Sequence, residues 1–235
     1  MKILVFNHAT DLHYDTSITL GQVQLFEKSG LLDEAYDVNM MLHYHENSFK
    51  WLEERWEKRE NVAFHLFDDW YQPWYEYTSA YHIQELCNGT DEEFYILYTH
   101  AKGNFTRTAP NVNWRNYMNY WCIERWRDCV TKLDEGYDLV GAGFLNNPPY
   151  PYFAGNFFWT RASYIRRCQK LIQPTENDFK PQFEGQPHLR YDLECWHGSG
   201  NPKWFDLHPG EHERWYLPPE AYREDLKDKW VYRTV

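Results

Sequence analysis

Residues 94–103, FYILYTHAKG, contain the clearest strand signal in the sequence. Positions 94–99 are all aromatic, aliphatic or β-branched, which is typical of a strand buried on both faces of a sheet. The polar stretch His-Ala-Lys-Gly follows directly, so it would lie at the carboxyl end of that strand. Ligands of open α/β sheets bind at this edge. We therefore expect a parallel sheet with a binding site next to residues 100–103.

Strand and helix patterns alternate along the rest of the chain. Apolar positions recur at helical spacing most clearly over residues 113–133, and Gly30 and Ser79 are candidate helix caps. This alternation predicts an α/β fold with a mainly parallel central sheet flanked by helices. The predicted strands are 3–6, 36–42, 61–66, 94–99 and 138–142, and the predicted helices are 18–29, 49–59, 79–87, 113–133 and 160–171.

Length and composition restrict the class of protein. The chain has 235 residues, of which 43% are apolar and 25% charged, as in ordinary globular domains. No domain boundary is visible, so residues 1–235 are predicted to form a single domain with a proline-rich, loop-rich tail beyond residue 173. Mean hydropathy is −0.81, and no apolar run is long enough to predict a membrane span. Five cysteines without a CxxC pair predict free thiols and a cytoplasmic location.

Charge and aromatic content bear on the partners. The net charge of −11 disfavours nucleic acid and anionic membranes. Aromatic residues make up 19% of the chain, with 12 Trp, 19 Tyr and 14 Phe. One interpretation is a large aromatic core. The other is that some aromatic faces stack on sugar rings or nucleobases, and composition alone does not separate the two.

Polar residues follow two of the predicted strands. The first group, after strand 3–6, contains Asn7, His8, Thr10 and Asp11. The second contains His100, Lys102 and Gly103, in which a lysine charge and a glycine backbone suit a phosphate group. The alternative is a loop histidine and a solvated lysine. The stretch is not a P-loop, because the upstream Gly-x4-Gly spacing is missing.

Two further stretches contain candidate functional residues. The aromatic run 153–159 includes Asn156, which would present a carboxamide to sugar hydroxyls; the alternative is a core strand with a tight bend. Asp192 and Glu194 are two carboxylates of which one would serve as a general base, the alternative being a solvated acidic pair. No HExxH motif and no Cys/His zinc spacing is present.

The order of several motifs resembles a known family. The chain is similar over residues 1–200 to small GT-A-type glycosyltransferases of bacteria and of large DNA viruses that infect algae. That family typically reads His-Thr-Lys-Gly, Trp-Arg and Gly-Asn-Phe-Trp-Trp in this order. The matching segments here are YILYTHAKG at 95–103, NWRNYMNYW at 113–121, YFAGNFFWTRASYI at 152–165 and LECW at 193–196.

The resemblance implies a GT-A-like, Rossmann-like fold and transfer of a sugar from a nucleoside diphosphate, UDP by default, to a hydroxyl of a glycan or glycoprotein. Residues 1–105 would bind the nucleotide-sugar, and residues 106–235 would bind the acceptor. The implied roles are as follows: Asn7, His8, Thr10 and Asp11 hold the base and ribose; His100, Lys102, Gly103 and Arg115 hold the diphosphate; Asn156, Trp159 and Trp196 contact the sugar or acceptor; and Glu194, with Asp192 second, is the base.

One departure from the GT-A pattern concerns the metal. Many GT-A enzymes have an Asp-x-Asp metal site where this chain reads His-Ala-Lys. A lysine there would offset the diphosphate charge without a metal, so dependence on Mn²⁺ or Mg²⁺ is left open. The expected location is the cytoplasm of a bacterium or of a virus-infected host. Two other functions stay open: a carbohydrate-binding module without catalysis, and a nucleotide-sugar hydrolase.

Overall fold

The computed structural model describes residues 1–10, 15–43, 48–67, 76–103, 107–147, 150–171, 194–210 and 216–229. The strands in this part of the chain are β1 (Lys2–Thr10), β2 (Asp37–His43), β3 (Val62–Phe67), β4 (Phe94–His100), β5 (Leu139–Gly141), β6 (Phe144–Leu145), β7 (Tyr152–Phe153), β8 (Phe158–Arg161) and β9 (Trp204–Asp206). The helices are α1 (Ser17–Lys28), α2 (Leu31–Glu34), α3 (Lys50–Trp56), α4 (Tyr77–Asn88), α5 (Ala109–Asn119), α6 (Trp126–Asp134) and α7 (Ala162–Ile165), with a π-helical turn at Tyr120–Glu124 and 3₁₀ turns at Pro219–Ala221 and Glu224–Lys229.

A central sheet of seven strands organises the protein, in the order β3-β2-β1-β4-β8-β5-β9. The neighbours pair in parallel, except that β8 runs antiparallel to both β4 and β5. Strands β6 and β7 form a separate antiparallel pair. The predicted α/β class, with a mainly parallel, Rossmann-like sheet flanked by helices, is confirmed. Because β8 is reversed, its first residues lie at the same edge as the carboxyl ends of β1 and β4.

The two faces of the sheet bury separate apolar clusters, because side chains alternate along a strand. Ile3 and Val5 of β1 belong to the cluster that includes α1, α5 and α6. Leu4 and Phe6 of the same strand belong to the cluster that includes α4 and α7. Full burial of side chains of this size contributes about 1.5–3 kcal/mol each. Both faces are covered, as a largely parallel sheet requires.

The predicted long helix is confirmed, with a change of hydrogen bonding inside it. Helix α5 begins earlier than predicted, at Ala109, with a proline in its first turn. The π-helical turn follows directly, and α6 continues to Asp134 after a break at Arg125, where φ is −101°. One apolar stripe runs through all three pieces and packs on the sheet. Such π turns often occur near functional sites.

The predicted helix over 160–171 is wrong. Strand β8 continues to Arg161, which pairs with Tyr95 of β4, and α7 ends at Ile165. The Arg161 guanidinium donates to the Tyr137 carbonyl at 3.1 Å and also to the Leu133 carbonyl. These bonds and the cross-strand pairing hold residues 160 and 161 extended, although their sequence also suits a helix.

The two predicted caps have different outcomes. Gly30 follows α1 with φ +74°, and its N–H donates to the Glu27 carbonyl at 3.2 Å, which confirms it as a helix terminator. Ser79 is not an N-cap, because α4 begins at Tyr77. Its hydroxyl lies 2.8 Å from Nδ1 of His8 instead.

The chain beyond residue 173 contributes to the sheet more than its prolines suggest. Residues 172–193 lie outside the described part of the chain. Further on, β9 pairs in parallel with β5 and forms one edge of the sheet. The predicted loop-rich tail thus contains one strand that the sequence did not predict, because residues 204–206 gain cross-strand hydrogen bonds that local propensity does not foresee.

In the described residues no helix is long and apolar enough to span a membrane. All five cysteines are free and buried, as predicted for free thiols. Burial raises the pKa of the Cys87 thiol to about 12, so that thiol stays protonated at neutral pH.

His197 is a fully buried histidine that packs against the start of β8. Its ring lies 4.3 Å from that of Phe158, and its Nε2 accepts a 3.0 Å hydrogen bond from the backbone N–H of Phe153. Nε2 is therefore unprotonated, and the ring is neutral. Burial lowers the pKa of His197 to about 3.

We predict that His197 makes the fold acid-sensitive. The unfolded chain takes up a proton near the ordinary histidine pKa of 6.5, whereas the folded chain resists until about pH 3. The unfolded state thus binds more protons in this window, and stability falls as the pH is lowered through it, by up to about 5 kcal/mol. Urea unfolding at pH 7, 6 and 5 measures the effect. His197→Gln keeps an acceptor for Phe153 but does not titrate. The free energy of unfolding of this variant should therefore fall less steeply with decreasing pH, by the equivalent of about one bound proton. Parallel slopes for the two proteins would contradict this assignment.

Candidate functional site

The candidate site lies where the carboxyl ends of β1 and β4 meet the start of β8. His8 of β1 is in register with His100 of β4, and Tyr98 of β4 is in register with Phe158 of β8. Residues distant in sequence are thereby brought to one edge. This is the edge at which the sequence predicts a site.

A buried network of carboxamide hydrogen bonds joins the strands that form this edge to the neighbouring helices. Asn7 donates through Nδ2 to Gln22 Oε1 at 3.0 Å and to Thr99 Oγ1 at 2.8 Å. Gln22 donates through Nε2 to the His100 carbonyl at 2.9 Å and, at 3.4 Å, to Asn119 Oδ1. Asn7 is fully buried inside β1, so the predicted loop beginning at residue 7 is corrected. In this structure Asn7 supports the edge and does not line its surface.

The remaining predicted residues of the first strand end differ in position. His8 is buried in β1, and its backbone carbonyl accepts a 2.9 Å hydrogen bond from the N–H of Ala101. Thr10 is half-buried and is the last residue of β1. Asp11 lies outside the described residues. Of this group, Thr10 is therefore the described residue best placed to meet a ligand.

His100 links three elements at the edge. Its Nε2 donates to the Gly155 carbonyl at 2.8 Å, and its Nδ1 lies 2.9 Å from Oε1 of Glu76, the residue before α4. Its ring also meets that of Phe157 edge-on at 5.2 Å. Both ring nitrogens are engaged, so His100 holds the turn before β8 in place.

Lys102 lies on an aromatic platform just beyond β4. Its Nζ is 4.0 Å from the centre of the Trp114 ring, a contact worth about 0.5–2 kcal/mol. The Lys102 carbonyl accepts a 2.9 Å hydrogen bond from Nη1 of Arg115. Gly103 follows with φ +80°, a conformation that glycine adopts without strain. Helix α5 thus supplies both the platform for Lys102 and a second cation beside it.

The cations at this edge repel one another. Burial, and secondarily the charge of Arg107, lower the pKa of Arg115. Arg107 forms an ion pair with Asp15. The guanidinium of Arg107 holds the pKa of the Asp15 carboxyl far below its usual range. A bound anion would relieve the repulsion and solvate the half-buried guanidinium. The edge is therefore suited to an anionic ligand although the whole chain is acidic.

Asn156 stands next to His100 in the turn that leads into β8. The turn is closed by a 3.0 Å hydrogen bond from the Asn156 N–H to the Phe153 carbonyl, with Gly155 at φ +88°. Asn156 itself has φ +59°, which is uncommon for a residue with a side chain. None of the described residues hydrogen-bonds its carboxamide. Residues 153–159 thus form the tight bend between strands that the sequence left as an alternative.

Of the other predicted site residues, the two tryptophans lie in the core. Trp159 is fully buried, with its indole N–H bonded to the Cys122 carbonyl at 2.8 Å. Trp196 is buried on the α4 side and donates to the Gln169 carbonyl at 2.8 Å. Glu194 lies in the same helical turn and is half-buried. Asp192 lies outside the described residues. Both tryptophans therefore belong to the core, whereas the role of Glu194 stays a prediction.

Three residues important at this edge are absent from the sequence prediction of the site. They are Gln22, Glu76 and Trp114. Gln22 had a recognisable signal, because it is a polar residue on the apolar face of a predicted helix. Trp114 was visible in the helical stripe and in the Trp-Arg motif, but neither indicated its contact with Lys102. Glu76 had no signal, because its partner His100 is distant in sequence.

The described residues do not fit a divalent metal at the His-Ala-Lys position. Both nitrogens of His100 are engaged, and Lys102 brings a positive charge. Nowhere in the described ranges do three His, Cys, Asp or Glu side chains come together as a metal site would require. Hard cations such as Mg²⁺ prefer oxygen ligands, which neither residue supplies here.

The topology defines the class of protein, a Rossmann-like α/β protein with its candidate site at the carboxyl edge of the sheet. The chain belongs to the family described as "Domain of unknown function (DUF8361)", whose model matches residues 7–217. The sequence matches no curated protein. Among solved structures it is similar to HddC from Yersinia pseudotuberculosis, with 12% identity and a TM-score of 0.39, over 83% of this chain and 98% of that chain. A similarity this distant supports no inference about activity.

We predict that Gly155 is required by both conformation and space. A Cβ at this position would overlap Sδ of Met118 and lie 2.9 Å from Nε1 of Trp114. Gly155→Ala should therefore cost about 3 kcal/mol or more, combining backbone strain with overpacking. Gly136 has the same φ of +88° but no neighbour within 4 Å, so Gly136→Ala should cost only about 1 kcal/mol. Urea unfolding measures both, and equal losses would contradict the steric part of the argument.

Proposed function

We propose that the chain is a glycosyltransferase that moves a sugar from a nucleoside diphosphate to a hydroxyl of a glycan or glycoprotein. UDP is the default carrier. The proposal assigns the nucleotide-sugar to residues 1–105, with Arg115 as an additional contact to the diphosphate, and the acceptor to residues 106–235. It rests on the edge residues described above and on the motif order in the sequence.

The observation that carries the proposal is the pair of cations held by α5. Lys102 and Arg115 are positioned by Trp114 and by a backbone carbonyl, so they keep a defined geometry. The chain as a whole has a charge of −11, so a cationic cluster at the ligand-binding edge is not explained by composition. A diphosphate carries the negative charge and the acceptor oxygens that such a pair binds.

Asn156 supports the assignment of a sugar beside the diphosphate. Its carboxamide has no hydrogen-bond partner among the described residues, and it lies one residue after the carbonyl that His100 holds. A carboxamide donates and accepts, which matches the hydroxyls of a pyranose. The strained backbone of Asn156 is typical of residues whose side chain must point in one direction.

The proposed reaction is a direct displacement at the anomeric carbon. The acceptor oxygen forms a bond to that carbon as the bond to the diphosphate oxygen breaks, and the diphosphate leaves with the electron pair. Glu194 takes the proton of the acceptor hydroxyl. Lys102 and Arg115 stabilise the charge on the leaving diphosphate. The anomeric configuration is inverted.

We predict that a nucleoside diphosphate binds and that Lys102 contributes to its affinity. At about 100 times its Kd, such a ligand adds ~2.7 kcal/mol and should raise the melting temperature by about 5 °C or more. UDP, GDP and dTDP are titrated separately, each with and without Mn²⁺. Lys102→Met keeps the contact with Trp114 but loses the charge, so affinity should fall about tenfold or more.

Lys203 provides a matched control for this experiment. Its Nζ lies 4.2 Å from the centre of the Tyr137 ring, so it is also a lysine on an aromatic platform, but beside β9. Lys203→Met should bind the nucleotide as the wild type does. If no nucleotide shifts the melting temperature of the wild type, the transferase proposal fails and a carbohydrate-binding module becomes the better description.

Glu194 is tested by removing its charge alone. Glu194→Gln should abolish sugar transfer, because the carboxamide cannot take the acceptor proton, while the nucleotide-induced thermal shift stays unchanged. Release of nucleoside diphosphate with and without acceptor is the readout. A fully active variant would rule out Glu194 as the base. Equal release without an acceptor would indicate a hydrolase instead.

A further inference from the structure

The C-terminal segment, residues 216–226, is firmly docked on the long helix. Tyr222 is buried, and its ring lies 5.2 Å from that of Tyr117 and 5.6 Å from that of Tyr120. Arg223 forms two hydrogen bonds with the Glu124 carboxylate, at 2.5 and 2.7 Å. The segment is thus held to α5 and to the π-helical turn by aromatic packing and a bidentate ion pair.

Tyr216 stands where this segment reaches the candidate site. Its carbonyl accepts a 3.0 Å hydrogen bond from Nδ2 of Asn113. Its ring meets that of Trp114 edge-on, with the centres 5.8 Å apart and the planes at 83°. Trp114 is the residue on which Lys102 rests. Tyr216 nevertheless remains 41% exposed, so part of this residue faces solvent next to the tryptophan that holds Lys102.

Trp114 also connects Tyr216 to the bend before β8. The indole N–H of Trp114 points to the Ala154 carbonyl at 3.3 Å, in the bend that carries Asn156. That bend leads into β8, which flanks β4 on the side opposite β1. Tyr216, Lys102 and the bend that carries Asn156 therefore all meet at the side chain of Trp114.

We propose that Tyr216 contacts the acceptor sugar and contributes to the choice of acceptor. The inference rests on the proposed function and extends it to a residue outside every motif that the sequence singled out. The exposed ring offers an apolar face to the C–H face of a pyranose, and its hydroxyl offers a hydrogen bond to the rim. The docked segment holds the ring in place, so little conformational entropy is lost on binding.

The experiment compares Tyr216→Ala and Tyr216→Phe with a matched surface control. Tyr36 is 60% exposed, lies 4.3 Å from Nζ of Lys2, and is at the amino edge of the sheet, so Tyr36→Ala removes an exposed tyrosine elsewhere. Each protein is loaded with the nucleotide that shifts the wild type. The probes are p-nitrophenyl glycosides of glucose, galactose, xylose and rhamnose, with binding measured by saturation-transfer NMR.

The expected result separates acceptor from donor. Tyr216→Ala should bind nucleotide within twofold of the wild type and bind the preferred glycoside about tenfold more weakly. Tyr216→Phe keeps the stacking face and should retain most of the glycoside affinity, as should Tyr36→Ala.

Each other outcome contradicts a specific statement. Unchanged glycoside binding by Tyr216→Ala, or no glycoside binding by the loaded wild type, overturns the role of Tyr216 and leaves the nucleotide result standing. A loss of nucleotide affinity in Tyr216→Ala equal to its loss of glycoside affinity also overturns it, because Tyr216 would then serve the donor or the fold. If the wild type binds no nucleotide, the proposed function fails, and this inference fails with it.

Discussion

The carboxamide of Gln22 is the interaction on which the geometry of the edge depends. It accepts from Asn7 in β1 and donates to the carbonyl of His100 in β4 and to Asn119 at the end of α5. One buried side chain thereby joins α1, two central strands and the long helix. Buried polar groups cost free energy unless they are paired, so this network favours one arrangement of four elements over any slipped alternative.

Trp114 connects this buried network to the residues that line the candidate site. Because Asn119, the last residue of α5, is bonded to Gln22, this helix is held against β4, and it carries the Trp114 indole. Lys102, the Ala154 carbonyl and Tyr216 all contact this one ring system. The cation, the bend before β8 and the C-terminal segment are therefore parts of a single rigid assembly. Sites held in this way lose little free energy to ordering when a ligand binds.

The sequence predicts the parallel strands and the site edge well, because both have local signals. Residues 94–99 are all aromatic, aliphatic or β-branched, and the polar residues directly after them mark the strand end. The predicted helix over 160–171 was wrong, because Arg161 pairs with Tyr95 and donates to the carbonyls of Tyr137 and Leu133, and these contacts override local propensity. The partnership of Glu76 with His100 and the strand at 204–206 depend on contacts between distant residues. No local pattern contains that information.

The reversed strand also constrains the order in which the chain can fold as it is synthesised. Strands β3, β2, β1 and β4 all lie within the first 100 residues and pair with one another. Strand β5 emerges next but has no partner among them, because β8 separates it from β4. Strand β5 can join the sheet only after about twenty further residues, including β8, have been synthesised, and its other neighbour, β9, follows later still. The amino-terminal half can thus assemble first on the ribosome, whereas β5 stays an exposed apolar segment until its neighbours arrive.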